Sequence, residues 1–366
     1  MRLIAVLSLF VILCPALFAQ VTGSTALVPP APNITPLWSP DGQFIAFIQA
    51  QRTARMSALS SPQLWLYSVE HGTTWSLISR RPGGPDIPGG PDITTVGQVF
   101  AWAPDGKSLL LIANNTGVAA INQSLFIVNL LGQSKCLTLQ ENVPHNTVIS
   151  AAWSRDGKHI AYFSQVAKDT MLVVIDRDGK NRRVLANGAF RDVPAWTPDG
   201  KNLIVSKAGE NGMSDLWQIA VAGGAARNLT NTPNEPESQP AVSSDGTMLA
   251  YAGDVTGVMT GIIDTDVFVT PLAEFAPKKL ISLSDTPRWR PDGKALAIRS
   301  SGDAHKPVQY RIIDLNGNVI KTVPVENILT DYTNGISFAP DSKRFVYNKD
   351  GTIWMDTLDE NALTAK

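Results

Sequence analysis

Histidine is the side chain best suited to proton transfer or metal ligation near neutral pH. The chain has four: His71, His145, His159 and His305. They are scattered without ligand spacing, and no H-E-x-x-H, paired C-x-x-C or G-x-S-x-G accompanies them. Surface or loop positions are expected for all four, with no metal site and no cofactor. Cys136 is alone if Cys14 lies in a removable leader, so neither a disulfide nor a cysteine-rich metal site can form. Its apolar setting reads as a small buried hydrophobe. Asp176-Arg177-Asp178-Gly179 begins like a calcium loop but lacks the acidic ligands that would continue it, so it reads as a turn. The remaining candidates are Arg191, Asp192, Glu237, Asp285, Asp331 and Tyr332. They could bind a cation, a sugar or a basic peptide, or simply cap strands. Two carboxylates at one mouth could also perform glycoside chemistry, with an outcome set by their separation.

What would position these residues is a repeat. Trp38-Ser39-Pro40-Asp41-Gly42 recurs as Trp102-Ala103-Pro104-Asp105-Gly106, Trp153-Ser154-Arg155-Asp156-Gly157 and Trp196-Thr197-Pro198-Asp199-Gly200. Val242-Ser243-Ser244-Asp245-Gly246, Trp289-Arg290-Pro291-Asp292-Gly293 and Phe338-Ala339-Pro340-Asp341-Ser342 complete the series. The aspartates lie 43 to 64 residues apart, a period that suits one four-stranded propeller blade. The motif is a turn: Pro fixes φ, Asp follows, and Gly takes the left-handed conformation. Ser342 in place of Gly predicts a less favourable last turn. The aspartates are therefore turn formers, because seven equivalent positions around a ring cannot converge on one substrate.

The strand after each turn is apolar on both faces. Ile45, Leu109, Ile160, Leu203, Leu249, Leu296 and Phe345 alternate with Ala46, Leu110, Ala161, Ile204, Ala250, Ala297 and Val346. Such a strand is buried on both sides, as between packed blades. The expected fold is all-β: a seven-bladed propeller of four-stranded antiparallel blades, without a long amphipathic helix. The last repeat is short. Either Asn361-Ala362-Leu363-Thr364 or, preferably, Thr25-Ala26-Leu27-Val28 supplies its outer strand, and the second choice closes the ring.

Met1-Arg2 followed by the apolar run Leu3 to Leu13 reads as a secretory signal, too short for the roughly 20 residues that span a bilayer. Cleavage after Ala19 is expected, giving a signal at 1–19 and one propeller domain at 20–366. Leu13 before Cys14 breaks the lipoprotein pattern, so membrane attachment is expected only if Cys14 is nevertheless lipidated. A net charge of −1 and the lack of a dense basic run argue against nucleic acid.

The repeated Trp-Ser-Pro-Asp-Gly-Lys followed by Ile-Ala-Phe or Ile-Ala-Tyr resembles the WD40-like propeller repeat of TolB-type proteins, over about residues 25 to 357. That family includes TolB, propellers attached to serine peptidases and some sugar-acting enzymes. TolB's separate α/β domain and six blades do not fit this chain, so TolB itself is not expected. The resemblance implies a fold and no single function. The insertions at 50–62, 80–97, 114–122, 140–146, 253–263 and 301–307 fall on the face opposite the motif turns, where a binding surface is expected. These features lead to an exported, periplasmic or extracellular monomer, without catalysis, that binds an envelope protein or glycan. The alternative is a glycan lyase, hydrolase or peptidase-like enzyme acting through mouth acids.

Overall fold

The computed structural model describes residues 24–358 apart from 31–32, 50–62, 79–92, 116–122, 139–145, 167–168, 233, 254–264, 301–308 and 324–334. The signal at 1–19, the Asn361–Thr364 segment and nearly all of the inserted loops lie outside the described residues. Every regular element described is a strand. The chain opens with β1 (Thr25–Val28). One four-stranded sheet follows from β2 (Asn33–Trp38), β3 (Phe44–Gln49), β4 (Gln63–Ser68) and β5 (Thr74–Ser76). The next holds β6 (Ile93–Trp102), β7 (Ser108–Asn115), β8 (Gln123–Asn129) and β9 (Ser134–Cys136).

A seven-stranded sheet then contains β10 (Asn146–Trp153), β11 (His159–Val166), β12 (Asp169–Asp176), β13 (Arg183–Trp196), β14 (Asn202–Ala208), β15 (Ser214–Ala220) and β16 (Arg227–Asn228). β17 (Glu237–Val242), β18 (Met248–Gly253), β19 (Asp266–Pro271) and β20 (Lys278–Ile281) form another sheet. So do β21 (Ser284–Trp289), β22 (Ala295–Ser300), β23 (Gln309–Asp314) and β24 (Val319–Val323). The last sheet has the order β1-β27-β26-β25, from β25 (Ile336–Phe338), β26 (Arg344–Lys349) and β27 (Thr352–Thr357). Neighbouring strands in every sheet are antiparallel, for example β3 on β4 with Ile45 opposite Tyr67.

The motif turns form as their residues dictate. Gly42 has φ 75° and its N–H donates to the Ser39 carbonyl (3.0 Å), while the Ser39 N–H donates to Phe44 O (2.8 Å). The Asp41 carboxylate accepts from the Gln43 N–H (3.0 Å) and the Ser39 hydroxyl (2.6 Å), which holds the loop shut. Ser342 is forced into the same left-handed region at φ 61°, costing on the order of 1 kcal/mol that glycine would not. Its hydroxyl offsets part of this by accepting the Asp292 N–H (3.1 Å).

The core sits between sheets. Ala46, Ile48, Leu64 and Leu66 of one sheet pack on Trp102, Leu109, Leu111 and Phe126 of the next. The same arrangement recurs at each later junction, and Val28, Trp38, Ile45 and Phe47 meet Ala339, Val346 and Ile353. Each such fully buried side chain contributes roughly 1.5–3 kcal/mol. Tryptophan adds a directional tie. The indoles of Trp102, Trp196 and Trp289 donate to Leu37 O, Ala152 O and Ala241 O of the preceding inner strand at 2.8–3.1 Å.

Of two further details, the first agrees with the strand preferred from sequence and the second does not. β1 pairs with β27, with Thr25 opposite Met355, so the N-terminal strand is the outer strand of the last sheet. Four-stranded blades call for a separate outer strand before the fourth motif and a new inner strand leading into it, yet β13 runs unbroken from Arg183 to Trp196. Its first half pairs with β12 and its second with β14. Asn187-Gly188 is a dipeptide that favours turns, yet here it stays in the strand: Asn187 and Gly188 pair with β12, and Ala189 takes up the pairing with β14.

Candidate channel-mouth site

The inner strands converge on a cavity of about 690 Å³. Asp192, Gln239, Thr286 and Arg288 supply polar groups to its wall, while Ile149 and Val193 supply exposed apolar ones. Three inner strands carry the same irregularity. Register shifts fall between Arg191 and Ala195, Ser238 and Ala241, and Asp285 and Arg288. Each holds one residue at positive φ: Asp192 at 62°, Gln239 at 54° and Thr286 at 48°. Such non-glycine strain persists only where the surroundings over-determine it. Here they do. The Gln239 N–H donates to Asp192 Oδ2 (2.9 Å), and the Thr286 N–H donates to Gln239 Oε1 (2.6 Å). A relay thus runs across three neighbouring sheets, each bulge held by the side chain of the one before.

Burial pushes the Asp192 carboxyl above the usual aspartate range, opposed by the Gln239 N–H and the charge of Arg191. A half-buried carboxyl of raised affinity for protons is a reasonable acid or base. Arg191 itself points to solvent and does not line the cavity. Asp285 lies behind the wall, buried and paired through both oxygens with Arg299 (Nε to Oδ1 2.7 Å). Glu237 is also behind the wall and buried, beside Thr232. Asp331 and Tyr332 lie outside the described residues. Of the mouth residues expected from sequence, then, the wall itself holds Asp192.

Gln239, Thr286 and Arg288 belong to no acid-base or ligand pattern in the sequence. A usable signal existed: Pro36, Pro194, Pro240 and Pro287 each stand two residues before the aromatic or valine that opens the motif. A proline fixed there marks a break in the inner strand's pairing. Among the described residues no three His, Cys, Asp or Glu side chains come together as metal ligands. His159 Nδ1 lies 3.1 Å from Asp176 at a turn, remote from the cavity.

Residues 124–262 match the family model described as the TolB beta propeller domain. This is a TolB-type propeller repeat. The chain is 25% identical over 227 residues to the Tol-Pal system protein TolB of Francisella tularensis subsp. mediasiatica, covering 60% of this chain and 45% of that protein. It is 22% identical over 241 residues to the uncharacterized peptidase YuxL of Bacillus subtilis, covering 64% of this chain and 31% of the peptidase. The chain therefore spans 45% of the length of the TolB protein and 31% of that of the peptidase. The likeness is to TolB-type propellers over part of the chain.

Among solved structures, an oligogalacturonate lyase in complex with manganese superposes with a TM-score of 0.67 at 16% identity, over 94% of this chain and 95% of the lyase. An oligogalacturonate lyase from Vibrio parahaemolyticus gives 0.67 at 12% identity, over 93% and 94%. At these identities the likeness shows the fold. It also corrects the expectation of a non-catalytic binding propeller. That expectation leaned on the export signal, the lack of catalytic motifs and the elaborated loop face, yet these similar folds are enzymes of nearly the same extent as this chain. The YuxL match points toward enzymes as well.

Proposed function

We propose that the chain is an exported propeller enzyme that cleaves an acidic oligosaccharide by elimination at the channel mouth. The observation that carries this reading is the 690 Å³ cavity, whose wall carries both the proton-affine Asp192 carboxyl and the cationic Arg288. Elimination from a uronate needs a base for the proton on the carbon beside the carboxylate. It also needs positive charge to hold that carboxylate as its carbon becomes carbanion-like. Asp192 takes the proton; the glycosidic C–O bond breaks, the electron pair forms the new double bond, and the leaving oxygen is reprotonated. Arg288 attracts the substrate carboxylate. The full-length likeness to oligogalacturonate lyases supports the scaffold and the substrate class. No step is routed through a metal, since the described residues hold no fitting ligand set.

The same reading takes the sheets as seven blades, with β13 shared between the third and fourth, in one domain after a leader at 1–19. Ring closure is supported by β1 on β27 and by the Trp38 N–H, which donates to Ser337 Oγ (2.9 Å) of the last sheet. Export rests on the N-terminal basic and apolar pattern.

The test is incubation of the leaderless protein with oligogalacturonates and other uronate oligosaccharides, with and without manganese. Ultraviolet absorbance of the unsaturated product should rise. Asp192→Asn, which keeps an acceptor for the Gln239 N–H, should lower the rate by about 10²-fold or more. A folded protein that releases no unsaturated product from any of them refutes the proposal.

A further inference from the structure

Glu237 opens β17 at the seam with β14 and β15, two residues before Gln239 of the channel relay. It is 3% exposed. Its main-chain carbonyl accepts from Ser206 Oγ (2.9 Å) and Ser214 Oγ (2.8 Å), which ties β17 to the preceding sheet. Its carboxyl has no cationic partner among the described residues, and Oε2 has no hydrogen-bond partner there at all. The titratable groups facing it are Asp215 of β15, Glu235 before the strand and Tyr251 of β18. Each of these opposes a negative charge at Glu237 or leaves it unrelieved.

The protons available at Thr232 bear on the state of Glu237. Its Oγ1 has both the Glu235 carbonyl (3.0 Å) and Glu237 Oε1 within hydrogen-bond reach. A hydroxyl owns one proton. Both contacts are hydrogen bonds only if Thr232 donates to the carbonyl and a neutral Glu237 carboxyl donates to Thr232. The neighbouring Thr230 hydroxyl lies 3.3 Å from Asp215 Oδ1 and, like Thr232, also favours the charged form of Glu237, but burial outweighs both.

We propose that Glu237 is a proton-operated latch on this seam: neutral, it secures the start of β17 and the relay beyond it; ionised, it strains both. Burial raises the carboxyl to about 7, consistent with this geometry. The latch does not depend on the channel being catalytic, and its test uses no substrate.

Urea unfolding of the leaderless protein should show an unfolding constant larger at about pH 8.5 than at about pH 5, by on the order of 50-fold beyond the change seen in Glu237→Gln. Amide exchange at Gln239 and Thr286 should accelerate over the same interval in wild type only. Difference infrared spectra of the wild-type protein, which need no variant, should show a protonated carboxyl lost near neutral pH. Equal pH dependence in wild type and Glu237→Gln overturns the latch. If that variant does not fold, a wild-type infrared spectrum without a neutral carboxyl above about pH 5.5 overturns it instead.

Discussion

Asp285 and Arg299 meet across β21 and β22 as a bidentate pair, with both side chains nearly sealed from water. Removing one partner of a buried pair leaves the other charge uncompensated, which is far costlier than the pair's net contribution. Asp285→Ala is therefore expected to destabilise the protein by about 3 kcal/mol, read as a shift in urea midpoint with little change in slope. This pair also shows where sequence reading stopped. Asp285 was legible as an acid at the start of an inner strand. Its partner was visible too, because position 299 in the other repeats holds Ile48, Ile112, Phe163, Ser206, Ala252 or Asn348. An arginine in that column demands a counter-charge, but only the bulge between Asp285 and Arg288 turns the carboxylate inward to meet it.

At the scale of elements, β1 is the piece whose value can be isolated. It pairs along β27, and Ser24 Oγ donates to Asp356 Oδ2 (2.8 Å), a carboxylate that Lys321 also reaches at 2.7 Å. Val28 is buried against Trp38 and Val346. Truncation to Asn33 uncovers the β27 edge. The expected outcome is a lower unfolding midpoint and concentration-dependent self-association in sedimentation, since an open strand edge templates pairing. The spacing of Thr25-Ala26-Leu27-Val28 ahead of the first motif made this strand legible. The turns were legible for a firmer reason, since each depends on four or five adjacent residues. The channel relay was not, because its partners lie 47 residues apart and their contact depends on bulges that no local pattern encodes.

For the whole molecule, two sets of carboxyls act in opposite directions on stability. At Asp156, Asp199 and Asp245 the hydroxyls of Ser154, Thr197 and Ser243 hold the carboxyls below the usual value of 3.8, to about 2 at Asp245. A depressed carboxyl stabilises above its unfolded value and loses that contribution as pH falls through its folded one. Glu237 is raised from 4.5 to about 7, so the folded state holds a proton there that the unfolded chain releases. Its contribution is complete below about pH 4.5 and fades up to about pH 7. Stability measured against pH should therefore peak between about pH 4 and 5, falling on the acid side through the turns and on the neutral side through the seam. A peak at or above neutral pH would contradict this assignment.

The uninterrupted β13 has a mechanical consequence. Elsewhere among the described residues the passage from one sheet to the next is a change of strand. Between the sheets that share β13 the strand itself makes the passage, hydrogen-bonded to β12 up to Gly188 and to β14 from Ala189 onward. No loop lies there to take up slack, so displacement of one of these sheets against the other has to bend a strand that is held on both sides of the joint.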